Sequence, residues 1–223
     1  MTSLFRKLRR RLGLDSPLPR ADRQRWADAR DLRDLGELTA LSLAGGIASH
    51  PCHIGLVNGD ETVVPGITST LIACNRAGFV ITSSQAGFDG TGADGAQWRQ
   101  LAAVSGFVDD TMLSDGLWAL RERGYSVLFE EVADSSVCHP EQASPGDVVS
   151  WRDGEPFAVF GVQLWRRDIA RLWRGCSKEA IGQLGSAWQV TIYDRTPGRN
   201  DLWAVLRSWA DSQRTKSEWG KAA

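Results

Sequence analysis

The chain has 223 residues, is 42% hydrophobic and 24% charged, and carries a formal net charge of −1. That composition is the one ordinary soluble domains have, and the length lets folding bury roughly 70–75% of the unfolded surface without covalent staples. Cys52, Cys74, Cys138 and Cys176 are scattered, which excludes a Cys-x-x-Cys motif and argues against a disulfide framework. No apolar run approaches 18 residues and the basic N-terminus lacks the apolar stretch of a secretory signal, so the expected setting is cytoplasmic.

Charge is segregated along the chain. Residues 1–35 carry 10 Lys+Arg against 5 Asp+Glu, residues 36–164 carry 5 against 16, and residues 165–223 carry 11 against 6. The acidic middle argues against nucleic acid as a partner. Residues 1–20 read as a basic tail, with Leu4, Leu8 and Leu12 at four-residue spacing among Arg6, Lys7, Arg9, Arg10 and Arg11. A helix there is amphipathic, and weak contact with an anionic or membrane surface is its candidate role. Pro17 and Pro19 separate it from the body.

The expected single domain spans residues 21–213. Trp26, Ala29, Leu32, Leu35, Leu38 and Leu41 predict one helix over 21–44, capped by Asp22 and ended by Gly45-Gly46. A loop follows, then a helix over 65–74. Aromatic and β-branched content predicts strands at 79–82, 101–108, 125–132 and 188–193. Segments 147–151 and 157–164 read as a hairpin across Arg152-Asp153-Gly154-Glu155. Helices are expected at 111–123, 167–175, 178–184 and 200–211, with a frayed end from 214 to 223. This order implies an α/β (α+β) fold in which helices flank a mixed sheet.

Candidate chemistry centres on Asn75 to Phe107. Thr82, Ser84 and Gln85 stand at a strand end, and Gln97, Trp98 and Arg99 stand on the return segment. Such positions suit a small polar ligand, with Trp98 stacking on a planar group and Arg99 holding an anion. Between them Gly90, Gly92 and Gly95 match G-x-G-x-x-G formally. Asp89 and Asp94 would repel a pyrophosphate, and a strand rather than a helix follows, so the segment reads as a flexible acidic loop. The Cys52-His53 and Cys138-His139 pairs, with His50, offer zinc ligands or a nucleophile pair by residue type, but adjacent residues rarely converge on one metal. No metal and no cofactor is expected. Asp109-Asp110 and Glu130-Glu131 sit at strand ends or edges, where charges discourage sheet aggregation.

The run NRAGFVITSSQAG followed by WRQLAAVSGF resembles a family of uncharacterised actinobacterial proteins with an NRAGFVT-x-x-SQPG … QR-x-x-V-x-GF motif. Trp26 to Arg30 and Asp34 to Ala40 fit the same family, so the resemblance covers roughly 22–132. Ala86 stands where that pattern has proline, and Gln100-Leu101 interrupts its Gln-Arg order. The resemblance implies no catalytic residue. Two function classes follow from the sequence: a small-ligand binding protein or enzyme using the six residues above, or a non-enzymatic protein–protein interaction module, of the kind mobile genetic elements carry.

Overall fold

The computed structural model describes residues 20–48, 50–52, 63–112, 116–134 and 143–219. The expected basic tail, His53, Cys138 and His139 lie outside the described residues. Where one long first helix is predicted, two form: α1 at Arg20–Ala27 and α2 at Leu32–Leu43. The break is a local capping event. Asp31 turns extended and accepts from the Asp34 backbone N–H at 2.9 Å, while the Asp34 carboxylate accepts from the Arg30 backbone N–H at 2.9 Å. These reciprocal bonds satisfy donors that a continuous helix would have used internally. Asp22, the expected cap, sits inside α1 instead and accepts from Ala48 N at 3.0 Å.

Helix α3 is Ile67–Arg76, and Gly78 turns the chain with φ 100° into β1, Val80–Gln85. Next come β2, Phe88–Thr91; β3, Gln97–Gln100; and β4, Ala103–Val108. Asp110–Met112 and Trp118–Leu120 are single turns, so the described part of the expected 111–123 segment is not a continuous helix. Strand β5 is Ser126–Glu131, β6 is Pro145–Arg152 and β7 is Glu155–Val162. Helices α4, Arg166–Leu172, and α5, Lys178–Ser186, precede β8, Trp188–Tyr193. Helix α6, Asp201–Trp219, continues past the point where a frayed end was expected.

The α+β single-domain class is what the chain adopts. Its strands form two antiparallel sheets of four, in the orders β1-β4-β8-β5 and β2-β3-β6-β7. One bent hairpin joins them. Its arms run β1 into β2 and β3 into β4, with corners at Ala86-Gly87 and Leu101-Ala102.

The first sheet is the middle layer. One face carries Ile81, Val104, Val127, Val190 and Ile192 against Leu71 and Cys74 of α3 and Leu202, Trp203, Leu206 and Trp209 of α6. The opposite face is covered in two parts. Val80 and Phe107 pack with Trp26, Leu35, Ile169, Trp173 and Leu184 from α1, α2, α4 and α5 and their flanks. Ala103 and Tyr193 pack with Leu101, Val149, Ala158 and Phe160, so the second sheet folds back over that end. Buried apolar surface of this kind dominates the stability of such a layered fold.

Candidate functional site

Residues 82 to 100 follow the bent hairpin, and its register decides where each side chain goes. Val80 pairs with Phe107 and Ile81 with Gly106, but Ser83 pairs with Ser105, so Thr82 is the extra residue of a bulge. Asn75 holds this bulge: its Oδ1 accepts from Ile81 N at 2.9 Å while its Nδ2 donates to Leu71 O at 2.8 Å. Thr82 is buried and donates from Oγ1 to Ser105 O at 3.3 Å. Ser84 lies opposite Val104, on the face packed by α3 and α6. Its hydroxyl is buried without a hydrogen-bond partner among the described residues.

Gln85 lies opposite Ala103, on the other face. Its Nε2 donates to Leu101 O at 2.9 Å and to Val149 O at 3.1 Å, so both amide hydrogens bridge the corner to β6. Further along, Phe88–Thr91 is strand rather than flexible loop, because all four residues pair with Gln97–Gln100. Only residues 92–96 remain as the hairpin tip. Gln97 is exposed and donates from Nε2 to Thr91 Oγ1 at 2.7 Å. Trp98 is half-buried; its Nε1 donates to Asp94 Oδ1 at 3.1 Å, and its ring meets Phe157 edge-on at 4.6 Å. Arg152, directly across the ladder, lies over the Trp98 ring at 5.8 Å and pairs with Asp94 at 3.1 Å.

Arg99 does not share that surface. Strand alternation sends it to the opposite face, where its guanidinium lies 6.0 Å from the Trp151 ring. The six candidate residues therefore occupy three places: the helix-covered interior, the corner, and the two faces of the second sheet. Residues 85 and 91 are separated by about 20 Å of strand at 3.3 Å per residue. The cation beside Trp98 is Arg152, which the sequence reading did not single out.

Other polar groups near the corner join chain segments. Asn200 donates from Nδ2 to Gly87 O at 3.0 Å and accepts at Oδ1 from Gly87 N at 2.7 Å. Gly87 is needed there, since a Cβ would lie 2.3 Å from Arg199 O. Tyr193 donates to Asp147 Oδ2 at 2.6 Å, and Arg195 Nε donates to Ser126 Oγ at 2.8 Å. Burial first, and the Asp147 bond second, push the Tyr193 phenol above its ordinary pKa. A tyrosine shifted that way is a poor proton donor at neutral pH.

The Cys74 and Cys176 thiols are equally poor nucleophiles. Burial pushes Cys74 and Cys176 up to about 12, far from the thiolate a nucleophile requires. His50 and Cys52 are buried; His50 Nε2 meets Thr39 Oγ1 at 3.0 Å and its ring contacts Trp26 and Trp173 edge-on. Among the described residues no group of three or more His, Cys, Asp and Glu is arranged to hold a metal ion. Asp109 and Asp110 are exposed, and Asp110 accepts from Trp188 Nε1. Glu130 and Glu131 lie on β5, the outer strand of the first sheet.

What the sequence reading missed is the surface of β7. Phe157, Val159 and Val162 are 61%, 44% and 45% exposed, whereas Ala158 and Phe160 face the inner cluster. The signal was present in EPFAVFGV: apolar residues at both parities mean that covering the face of Ala158 and Phe160 leaves Phe157 and Val159 on the other.

Residues 26–40 and 75–79, which carry the family resemblance, meet each other. Arg76 Nε donates to Glu37 at 3.1 Å, a Cβ on Gly36 would lie 2.3 Å from Asn75 O, and Phe79 is fully buried. These contacts describe a helix crossing and a strand entry, not a reactive centre. No helix among the described residues is long and apolar enough to cross a membrane. The model of a domain of unknown function, DUF6919, matches residues 21–210. No curated protein matches the chain.

Proposed function

The chain belongs to the DUF6919 family, and we propose that it is a non-catalytic protein–protein interaction module that docks through its second sheet. The observation that carries this reading is the exposed apolar side chains of β7, Phe157 and Val159 on its outer face and Val162 beyond them, at 61%, 44% and 45%. Apolar groups scattered singly are ordinary, but three along one strand with Trp98 beside them form a patch of the kind that marks association surfaces. Trp98 and Arg152 supply the aromatic and arginine anchors that interface centres favour. The Cys74 and Cys176 thiols and the raised Tyr193 supply no acid, base or nucleophile, which supports a binding role.

The reading also takes residues 21–213 as one domain behind a basic tail, an actinobacterial source and a cytoplasmic setting. Cys74 and Cys176, which form no disulfide among the described residues, support the last of these. The test is photo-cross-linking in the producing cell, with p-benzoylphenylalanine in place of Phe157 and, as control, of exposed Gln183 on α5. A polypeptide linked at 157 and not at 183, with the joined peptides identified by mass, is the expected result. No linkage at 157 above the control overturns the reading.

A second reading keeps a small polar ligand at Thr82, Ser84, Gln85, Gln97, Trp98 and Arg99. The observation in its favour is the half-buried Trp98 indole with a guanidinium over its face. A thermal-shift screen against nucleotides and metabolites, repeated with Trp98→Phe, tests it. A ligand-induced shift that survives Trp98→Phe, or no shift at all, removes it.

A further inference from the structure

We infer that the partner at this surface is a second copy of the same chain, joined antiparallel through β7; this rests on the interaction-module reading above. Each sheet has two outer strands, β1 and β5 in the first and β2 and β7 in the second, and β5 and β7 differ in charge. Strand β5, which ends the first sheet, carries Glu130 and Glu131, charges of the kind that keep an edge from pairing. Strand β7 ends the second sheet and has no charged residue from Pro156 to Val162. Strand β5 is guarded by charge, whereas β7 is uncharged from 156 onward, with Pro156 the residue there that offers no N–H.

The open length fits one strand. At its far end Val162 O accepts from Gln189 Nε2 at 2.7 Å, and Ala133 N donates to Leu164 O at 2.9 Å, so the chain there is already engaged. That leaves residues 155–161, about the length of an average strand. Among the described residues no strand pairs with the outer side of β7.

A two-fold axis at Ala158 makes this segment complementary to itself. Antiparallel pairing then sets Phe157 opposite Val159 of the other copy, and Val159 opposite its Phe157. Aromatic and β-branched residues are favourable cross-strand partners. Both pairs fall on the outer face, and both are side chains that the single chain leaves exposed. Glu155 comes opposite Gly161, so no like charges meet. The ends of the strand also match. Exposed Asp153 precedes β7 and exposed Glu155 begins it, and exposed Arg166 and Arg167 follow it within a few residues. Antiparallel pairing brings the acidic end of each copy toward the basic end of the other. The product is one eight-stranded antiparallel sheet, continuing the pattern already present in the second sheet.

Sedimentation velocity on the full chain, from about 1 to about 200 μM, tests the inference together with Val159→Lys and Ala158→Cys. The wild type should sediment as a dimer at the upper concentrations, and Val159→Lys should weaken association at least about tenfold without lowering the melting temperature. Mild oxidation of Ala158→Cys should give a covalent dimer, because the axis brings the two residues 158 together. A monomeric wild type over the whole range, or a dimer unaffected by Val159→Lys, overturns the inference. The cross-linking experiment at 157 separates the two failures. Linkage to a different polypeptide removes the second copy and keeps the module, whereas no linkage removes the module itself.

Discussion

Gln85 donates both amide hydrogens to backbone carbonyls, Leu101 O and Val149 O, and is nearly buried while doing so. Gln85→Ala removes both bonds, and while Val149 O keeps the Leu101 N–H at 2.9 Å, Leu101 O loses the Gln85 donor, which costs about 1–3 kcal/mol. One residue away, Ser84 has a buried hydroxyl with no partner among the described residues, against an apolar layer. Burying a lone hydroxyl is unfavourable, so Ser84→Ala should leave stability unchanged or raise it by up to about 1 kcal/mol. Urea denaturation of the two single variants checks this opposition in sign. Equal losses in both would show that the Ser84 hydroxyl makes a bond in solution. Neither substitution should alter binding at Phe157, because neither side chain reaches the outer face of β7. The chemistry expected of a serine and glutamine at a strand end is thus replaced by architecture, for a reason invisible locally: Val149 lies 64 residues further along the chain.

At the scale of elements, the hairpin 80–108 shows what periodicity can and cannot deliver. Strand β8 and the hairpin β6–β7 were legible, the latter because Asp153 and Gly154 both take positive φ, 51° and 87°, as a two-residue turn of its type requires. Residues 88–91 were not, because Asp89 and Gly90 read as a turn and offset Phe88 and Thr91, and the segment becomes a strand by pairing with 97–100. The helix break at 28–31 escaped for a similar reason. The apolar spacing runs through it, while the decision lies with two aspartates that compete for backbone N–H groups. The hairpin tip carries its own electrostatic signature. The Trp98 indole N–H, then the Ala96 backbone N–H, with Arg152 adding, hold the Asp94 carboxyl below its ordinary pKa. A depressed folded-state pKa contributes stability that is present above the unfolded value, near about 3.9, and is lost as pH falls through the lower folded value. The Trp98 indole N–H resonance, assigned with Trp98→Phe, should therefore hold still from about pH 8 to about pH 4 and move only below that. A midpoint above about pH 4 would mean the Asp94 contact is absent in solution.

Over the whole molecule, the two sheets are unequal in how they are held. The first is buried on both faces by two large clusters. The second is held to it by a small cluster around Leu101, Ala103 and Val149, by Gln85, and by the Tyr193 to Asp147 bond at 2.6 Å. The helix-covered body was readable in the sequence because its signals are local and periodic. The attachment of the second sheet was not, because every tie across it is long-range and made by one or two polar side chains. Regions with few buried apolar contacts open at lower free energy than the global unfolding. Amides of β6 and β7 should accordingly exchange by a sub-global opening, while those of β4 and β8 exchange only on global unfolding. Combining Gln85→Ala with Tyr193→Phe removes two of the polar ties, leaving Gln189 to Val162 O and the two large clusters intact. Hydrogen exchange read by mass spectrometry should then show protection in β6 and β7 falling by at least about tenfold more than in β4 and β8. If all four strands lose protection together, the sheets form one cooperative unit. A second sheet that opens on its own would reveal β6 and β7 as a docking arm built on a rigid body. Pairing β7 with another strand would then raise protection of that arm above the free chain while leaving β4 and β8 unchanged.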